Sequence, residues 1–410
     1  MTAIAEGAPR LDRMNSTALP GISGIGPEDL AAWLVERGQP AFRARQILDA
    51  VWGGQAVAFE TIPTLPAALR AELAGSFLFD TVADTELRDS DGGLTEKALH
   101  RLTDGALVES VLMHYPARGK QRERHTLCIS SQAGCAVGCP FCATGELGFT
   151  RDLTTAEILD QVRHAARRLA GDDRRLTNVV FMGMGEPLLN LDRVLAAVDA
   201  LNDSARFGLG ARHITVSTSG VVPGIRRLTA LGPQFTLAIS LHAARDALRD
   251  VLVPLNRRWP VAEVVDAARD HARATGRRVT YEATMIDGVN DTEQDARAMA
   301  ELLRGDLAHV NLIPMNPVAH TPWRASPIAR LESFAAILRD AGVPATIRRN
   351  RGQEIGAACG QLAAERSGEP PVVAVERRRR RLVDASAAAL RGERSREPVP
   401  AGVGDGGASN

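Results

Sequence analysis

The chain has 410 residues, 45% of them hydrophobic, with 49 basic against 49 acidic side chains and a formal net charge of zero. That is enough apolar material for one large core with smaller additions, and the balanced charge does not by itself announce a nucleic-acid partner. Five cysteines in this length exclude a disulfide framework, and no stretch approaches the ~20 apolar residues of a bilayer span. The first twenty residues contain no apolar run of the secretory type, so a cytoplasmic address is expected. Only Lys97 and Lys120 are lysines, so arginine carries nearly all the positive charge and an arginine count says little about partners.

Residues 1–22 lack periodicity and are expected to be a flexible N-terminus. A helical accessory unit over 23–80, expected to grip RNA by shape and backbone through Arg43, Arg45 and their apolar neighbours, starts at Pro27, where a first helical turn tolerates proline. It continues through apolar-periodic stretches at 41–53 (Phe42, Ile47, Leu48, Val51, Trp52) and 66–75 (Leu69, Leu73), separated by Pro63 and Pro66. Over 81–120 the pattern shortens to runs broken by Asp-Ser-Asp-Gly-Gly (89–93) and Thr-Asp-Gly (103–105), which predict the hairpin turns of a β extension.

From 121 to 353, strand patterns at 125–130, 177–182, 213–218, 235–241, 278–285 and 308–314 alternate with amphipathic stretches at 155–170, 191–202, 222–231, 261–275, 291–304 and 328–341. Six such alternations predict parallel βα units, hence an α/β sheet or a partial barrel, with ligands at the carboxyl ends of the strands. The residues with chemistry fall there. Cys135, Cys139 and Cys142 follow the first strand, Gly183 to Pro187 the second, Ser217 to Gly220 end the third, Ser240 to His242 the fourth, and Pro314 to Pro317 the sixth. A C-terminal segment, 354–385, carries Cys359 and five consecutive arginines, Arg377 to Arg381, a run suited to phosphate or to a solvated helix end. Residues 386–410 are Gly-, Ser- and Ala-rich and are expected to form a flexible tail.

The run Gly-Cys-Ala-Val-Gly-Cys-Pro-Phe-Cys (134–142) is the most informative feature. A four-iron cluster normally takes four thiolates, and this run supplies three, which leaves one iron open. A zinc site or unrelated thiols fit the spacing less well, since zinc wants a fourth Cys or His at short range and His125 lies ten residues before the run.

Cys-x-x-x-Cys-x-aromatic-Cys, with Phe141 as the aromatic, resembles the signature of the radical S-adenosylmethionine (SAM) enzymes. Further segments narrow the resemblance to the RlmN/Cfr family of RNA adenine methyltransferases: Thr126 to Gln132, Gly183 to Leu188, Ser217 to Val221, Ala238 to Ala243, Asp287 to Asp291 and Ala357 to Leu362, with Gln39 to Ala44 in the accessory unit. It spans about residues 24–370.

The resemblance implies a radical SAM core, a partial (β/α)6 barrel of TIM type, carrying one 4Fe-4S cluster on Cys135, Cys139 and Cys142 with its open iron chelated by SAM. It implies SAM contacts at Gly185, Glu186, Ser217, Ser240, Leu241, His242 and Asn316. It further implies two SAM molecules per turnover. The first methylates Cys359, and the second is cleaved to an adenosyl radical that takes hydrogen from that methyl. The methylene carbon then adds to the adenine, Glu109 removes the ring proton, and Cys128 attacks Cys359 through a transient disulfide to free the product. Expected partners are 23S rRNA and tRNA, plus an electron donor such as flavodoxin, with a monomer as the default. RlmN-type methylation of carbon 2 is favoured over Cfr-type methylation of carbon 8 by the full-length similarity, and a non-catalytic iron–sulfur RNA-binding protein would have no use for Cys128 and Cys359. Two departures from the family pattern stand out: Met315 where relatives carry Trp, and Gln353-Glu354 where an acidic pair is common.

Overall fold

A computed structural model describes residues 19–54, 56–348, 350–362 and 372–394. Three helices open the described chain, α1 (Pro27–Val35), α2 (Arg43–Trp52) and α3 (Ala67–Ser76). Their apolar faces close on a small core of their own, in which Leu30, Leu34, Ile47, Leu69 and Leu73 are fully buried. Residues 19–22 are part of this unit, for Gly21 bridges to Leu78 and Ile22 is buried; residues 1–18, where the flexible N-terminus was expected, lie outside the described residues.

The chain then forms an antiparallel meander, β1 (Val82–Ser90), β2 (Thr95–Leu102), β3 (Leu107–Tyr115) and β4 (Arg124–Cys128). A two-stranded ribbon, β5 (Gln132–Gly134) and β6 (Phe149–Asp152), brackets a loop that holds the cysteine run and the one-turn α4 (Ala143–Leu147). Alternation follows: α5 (Thr155–Ala170), β7 (Asn178–Phe181), α6 (Leu191–Asn202), β8 (Ile214–Thr218), α7 (Val222–Leu231), β9 (Thr236–Ser240), α8 (Asp246–Leu252), α9 (Val261–Thr275), β10 (Val279–Met285), α10 (Glu293–Leu303), β11 (Ala308–Pro314), α11 (Ile328–Asp340) and β12 (Ala345–Ile347). All strands except β5 and β6 join one ten-stranded sheet in the order β1-β2-β3-β4-β7-β8-β9-β10-β11-β12, parallel from β4 onward.

The six expected core strands are present. The β extension continues the core sheet, with β3 bonded edge-on to β4. β12 was not foreseen, since three residues are too few to show a period. Residues on β7 through β12 and just beyond their carboxyl ends nevertheless line one cavity. Six strands in a flat sheet would spread over ~24 Å, so the sheet must curl, as in a partial barrel.

α5 fastens both additions to the core. Gly21 lies so close to it that a β-carbon there would come within 2.5 Å of Ala156 Cβ. On the same helix, buried Asp160 accepts hydrogen bonds from Thr81 N (2.8 Å) and Thr81 Oγ1 (2.7 Å) and pairs with Arg163, which donates to Phe79 O (2.9 Å). The last helix, α12 (Val372–Leu390), packs on α8 and crosses the boundary expected at 385, burying Ser386 and Ala389; residues 395–410 of the expected tail lie outside the described residues. No described helix is long and apolar enough to cross a membrane.

Candidate active site

The cysteine loop is wound tightly enough to demand glycine. Gly134 has φ +79°, and a β-carbon there would lie 1.9 Å from Gly148 O, the atom that accepts from Cys135 N at 2.9 Å. A β-carbon at Gly145 would sit 2.8 Å from Cys139 O. Cys135, Cys139 and Cys142 line a single cavity of about 170 Å³. Burial pushes the Cys135 thiol up to about 12 and raises Cys139 and Cys142 as well, so without a metal all three keep their protons. Among the described residues no three His, Cys, Asp or Glu side chains converge on a point for one ion. Three sulfur donors spread around a cavity instead fit an iron–sulfur cluster, whose irons each take one thiolate, better than a zinc ion that gathers four donors at one centre.

The other wall of this cavity is built from strand ends. Gly185 (φ +102°) abuts Gln132, where a β-carbon would come within 2.5 Å, and Gln132 Oε1 accepts from Glu186 N at 2.9 Å. Burial raises the Glu186 carboxyl, while Ser219 N and Oγ, both 2.7 Å from Oε2, and Leu188 N, 3.0 Å from Oε1, pull it back. His242, at φ +61°, accepts from Thr284 N through Nδ1 (3.0 Å), which puts its proton on Nε2; burial and then Arg249 lower it to about 3, so the ring is neutral. Ser217, Ser240 and Asn316 complete the expected set on this wall. Leu241 does not face the cavity; it is fully buried, and its carbonyl accepts from Arg249 Nε at 2.9 Å.

A second cavity, of about 110 Å³, adjoins the first. Cys128, Val111, Met113 and Tyr115 line it alone, whereas Cys142, Gly183, Arg348 and Cys359 line both, so Cys359 stands on the partition. Its segment is held by long-range bonds: Asn316 Nδ2 donates to Cys359 O (2.9 Å), Ala143 N to Gly360 O (2.6 Å) and Thr144 Oγ1 to Leu362 O (2.7 Å). Cys359 is exposed and Cys128 buried, and all five cysteines are free, so the implied Cys128–Cys359 disulfide is not formed in this state. Burial, and then the neighbouring Cys359, push Cys128 up to about 12. Arg348 is raised, chiefly by Cys359 and then by Glu282, against its own burial.

Glu109 is not on either cavity wall. Strand alternation puts it on the same face of β3 as Val111 and Met113, but its carboxylate is buried against Lys97 Nζ at 3.1 Å.

Residues 129–303 match the family model of the radical SAM superfamily. Proteins named "Probable dual-specificity RNA methyltransferase RlmN" are similar over most of the chain: that of Frankia casuarinae is 52% identical over 82% of this chain and 80% of its own, and that of Parafrankia sp. is 50% identical over 86% and 92%. The chain belongs to the RlmN family. The crystal structure of a radical SAM methyltransferase from Sphaerobacter thermophilus, 46% identical, superimposes with a TM-score of 0.81 over 84% of this chain and all of that one.

Three residues of this RlmN-family site escaped the sequence reading. Arg249 sits in a charged helical stretch that reads as surface, yet it is fully buried and donates to Leu241 O, to Ser219 O (2.6 Å) and to Asn256 Oδ1 (2.9 Å). Arg348 is masked by the run Arg348 to Arg351. Lys97 had a usable signal, being one of two lysines in an arginine-rich chain.

Proposed function

We propose that this radical SAM RNA methyltransferase of the RlmN family methylates carbon 2 of a specific adenosine in the peptidyl transferase centre of 23S rRNA, and of an adenosine in the tRNA anticodon loop, with Cys359 carrying the methyl. The observation that carries the reading is the position of Cys359 on the partition of two cavities, one walled by the cluster-loop thiols and the strand-end polar groups, the other by Cys128.

A ring carbon between two nitrogens offers no electron pair to a sulfonium methyl group, so a polar one-step transfer is closed to it. In the first stage Cys359 takes the methyl from SAM held against Gly185, Glu186, Ser217, Ser240, His242 and Asn316. Glu186 and the neutral His242 orient that ligand. When bound on Cys135, Cys139 and Cys142, the cluster supplies the electron that splits a second SAM molecule into methionine and an adenosyl radical. The Cys359 methyl thioether then loses a hydrogen atom and its carbon joins the unstacked adenine; the adduct's odd electron would return to the cluster held on Cys135, Cys139 and Cys142, and its ring proton goes to Glu109, which has to turn from Lys97 to reach the cavity. Cys128 then attacks the Cys359 sulfur: the S–S bond forms as the S–C bond breaks, the freed carbon takes a proton to become the methyl group, and two electrons from the reductant reopen the disulfide for the next cycle. A flavodoxin-type donor is the proposed source of electrons.

The test is anaerobic reconstitution with iron, sulfide, reductant, methyl-labelled SAM and either RNA, followed by mass spectrometry of the nucleosides. Labelled 2-methyladenosine is expected. Labelled 8-methyladenosine, or RNA without label, would refute the proposal.

A further inference from the structure

At the mouth of the Cys128–Cys359 cavity, two guanidinium groups converge on one aromatic ring. Arg124 Cζ lies 4.2 Å and Arg351 Cζ 4.4 Å from the centroid of Tyr115. Tyr115 and Arg124 are direct partners in the β3–β4 register, four residues before Cys128, while Arg351 arrives from the segment that carries Cys359 and donates to His114 O at 2.7 Å. Tyr115 and Arg351 line the cavity, and Arg124 stands exposed beside them. Among the described residues, neither guanidinium pairs with a carboxylate.

Two like charges gathered at one ring repel each other unless an anion joins them. Each guanidinium lies over the ring, and apart from the Arg351 Nη1 bond to His114 O their N–H groups are left for a planar or tetrahedral oxyanion. Half-buried Arg348, on the partition of the two cavities, adds positive potential. What must enter the cavity under the functional reading is an adenine turned out of its stack, and a turned-out nucleotide brings its own phosphates to the rim.

We propose that Arg124 and Arg351, set on Tyr115, form a phosphate clamp that grips the RNA backbone beside the flipped adenosine and so fixes the base over Cys359. The clamp rests on the reading of this site as an RNA methylase. It also ties the methyl-carrying segment to the RNA, since Arg351 is eight residues before Cys359. Base identity is not read by these groups; they position.

Full-length reconstituted enzyme, an RNA stem-loop carrying the target adenosine and a salt titration make the test. Variants are compared at equal labelling of Cys359 from methyl-labelled SAM, a step that needs no RNA and reports that the site is folded. Arg124→Gln and Arg351→Gln should each raise KM for RNA roughly tenfold with little change in kcat, and lower the slope of log KM against log salt by about 1. Tyr115→Leu should resemble them, and Tyr115→Phe, which keeps the ring, should resemble wild type. Arg122→Gln, two residues before Arg124 but not stacked on the ring, should leave KM and slope unchanged. Unchanged KM and slope in both stacked-arginine variants, alongside active wild type, would overturn the clamp; so would a fall in kcat at constant KM. If wild type itself methylates no RNA, the functional reading fails and the clamp with it, and that case is recognised because wild type and variants then behave alike.

Discussion

The two cavities that meet at Cys359 are built on different principles. The SAM-side cavity is walled by groups already bonded to the protein: both Glu186 oxygens are taken by Ser219 and Leu188, His242 by Thr284, and Gly134, Gly145 and Gly185 allow no other packing. The Cys128-side cavity is walled by Val111 and Met113, rimmed by guanidiniums without carboxylate partners, and closed by one segment, 350–362, that strand pairing does not hold. On the proposed function, the first cavity holds the cofactor and the second admits the large substrate. Pre-organisation belongs where a small molecule binds, and unspent hydrogen-bonding capacity where RNA must dock.

The comparison can be broken most decisively at the cysteines. Cys135→Ser should abolish the visible iron–sulfur absorption and every methylation, whereas Cys359→Ala should keep the absorption and lose methyl from both protein and RNA. If the absorption survives in the first or fails in the second, the division of labour between the cavities is wrong. Next, Cys128→Ala should leave Cys359 methylation intact and accumulate a covalent protein–RNA species through Cys359, visible as a shifted band on a denaturing gel. Free methylated RNA released at the wild-type rate would remove Cys128 from the mechanism.

A smaller effect concerns the SAM-side cavity. Arg249→Met leaves the carbonyls of Leu241 and Ser219 without their donor inside the core, and should cost about 3 kcal/mol in denaturant unfolding while raising KM for SAM. The smallest is a pH effect. Burial lowers His242 and His100 to about 3 in the folded state, so above pH 6.5 both states are neutral and nothing is lost. Between pH 6.5 and 3 the unfolded chain binds these protons first, so thermal stability should fall as pH falls through that window. The decline should shrink in His100→Gln; an unchanged decline would assign it to other groups.

The sequence showed most of the SAM-side cavity because that cavity is local. The cysteine spacing lies within eight residues, each strand-end group sits beside a recognisable β run, and the alternation of strands and helices already implied a common rim. The Cys128-side cavity was legible only through family resemblance, because it depends on contacts of long sequence separation. Asn316 to Cys359, Ala143 to Gly360 and Arg351 to His114 join segments whose closeness no periodicity reports. Arg249 failed to stand out for a different reason: a charged side chain on a short helix reads as solvated until the carbonyls that it serves have been placed around it. Glu109 shows the converse, a site residue named by resemblance that the fold sets behind the wall and against Lys97.

The central claim is that Cys359 passes the methyl group from one cavity to the other. A pulse–chase tests it most directly: Cys359 is first labelled with isotopic methyl from SAM in the absence of RNA, the excess is removed, and RNA is added with unlabelled SAM under reducing conditions for a single turnover. The account predicts that the isotope leaves Cys359 and appears at carbon 2 of adenosine in the first equivalent of product. Product carrying only unlabelled methyl, with the isotope retained on Cys359, would contradict it.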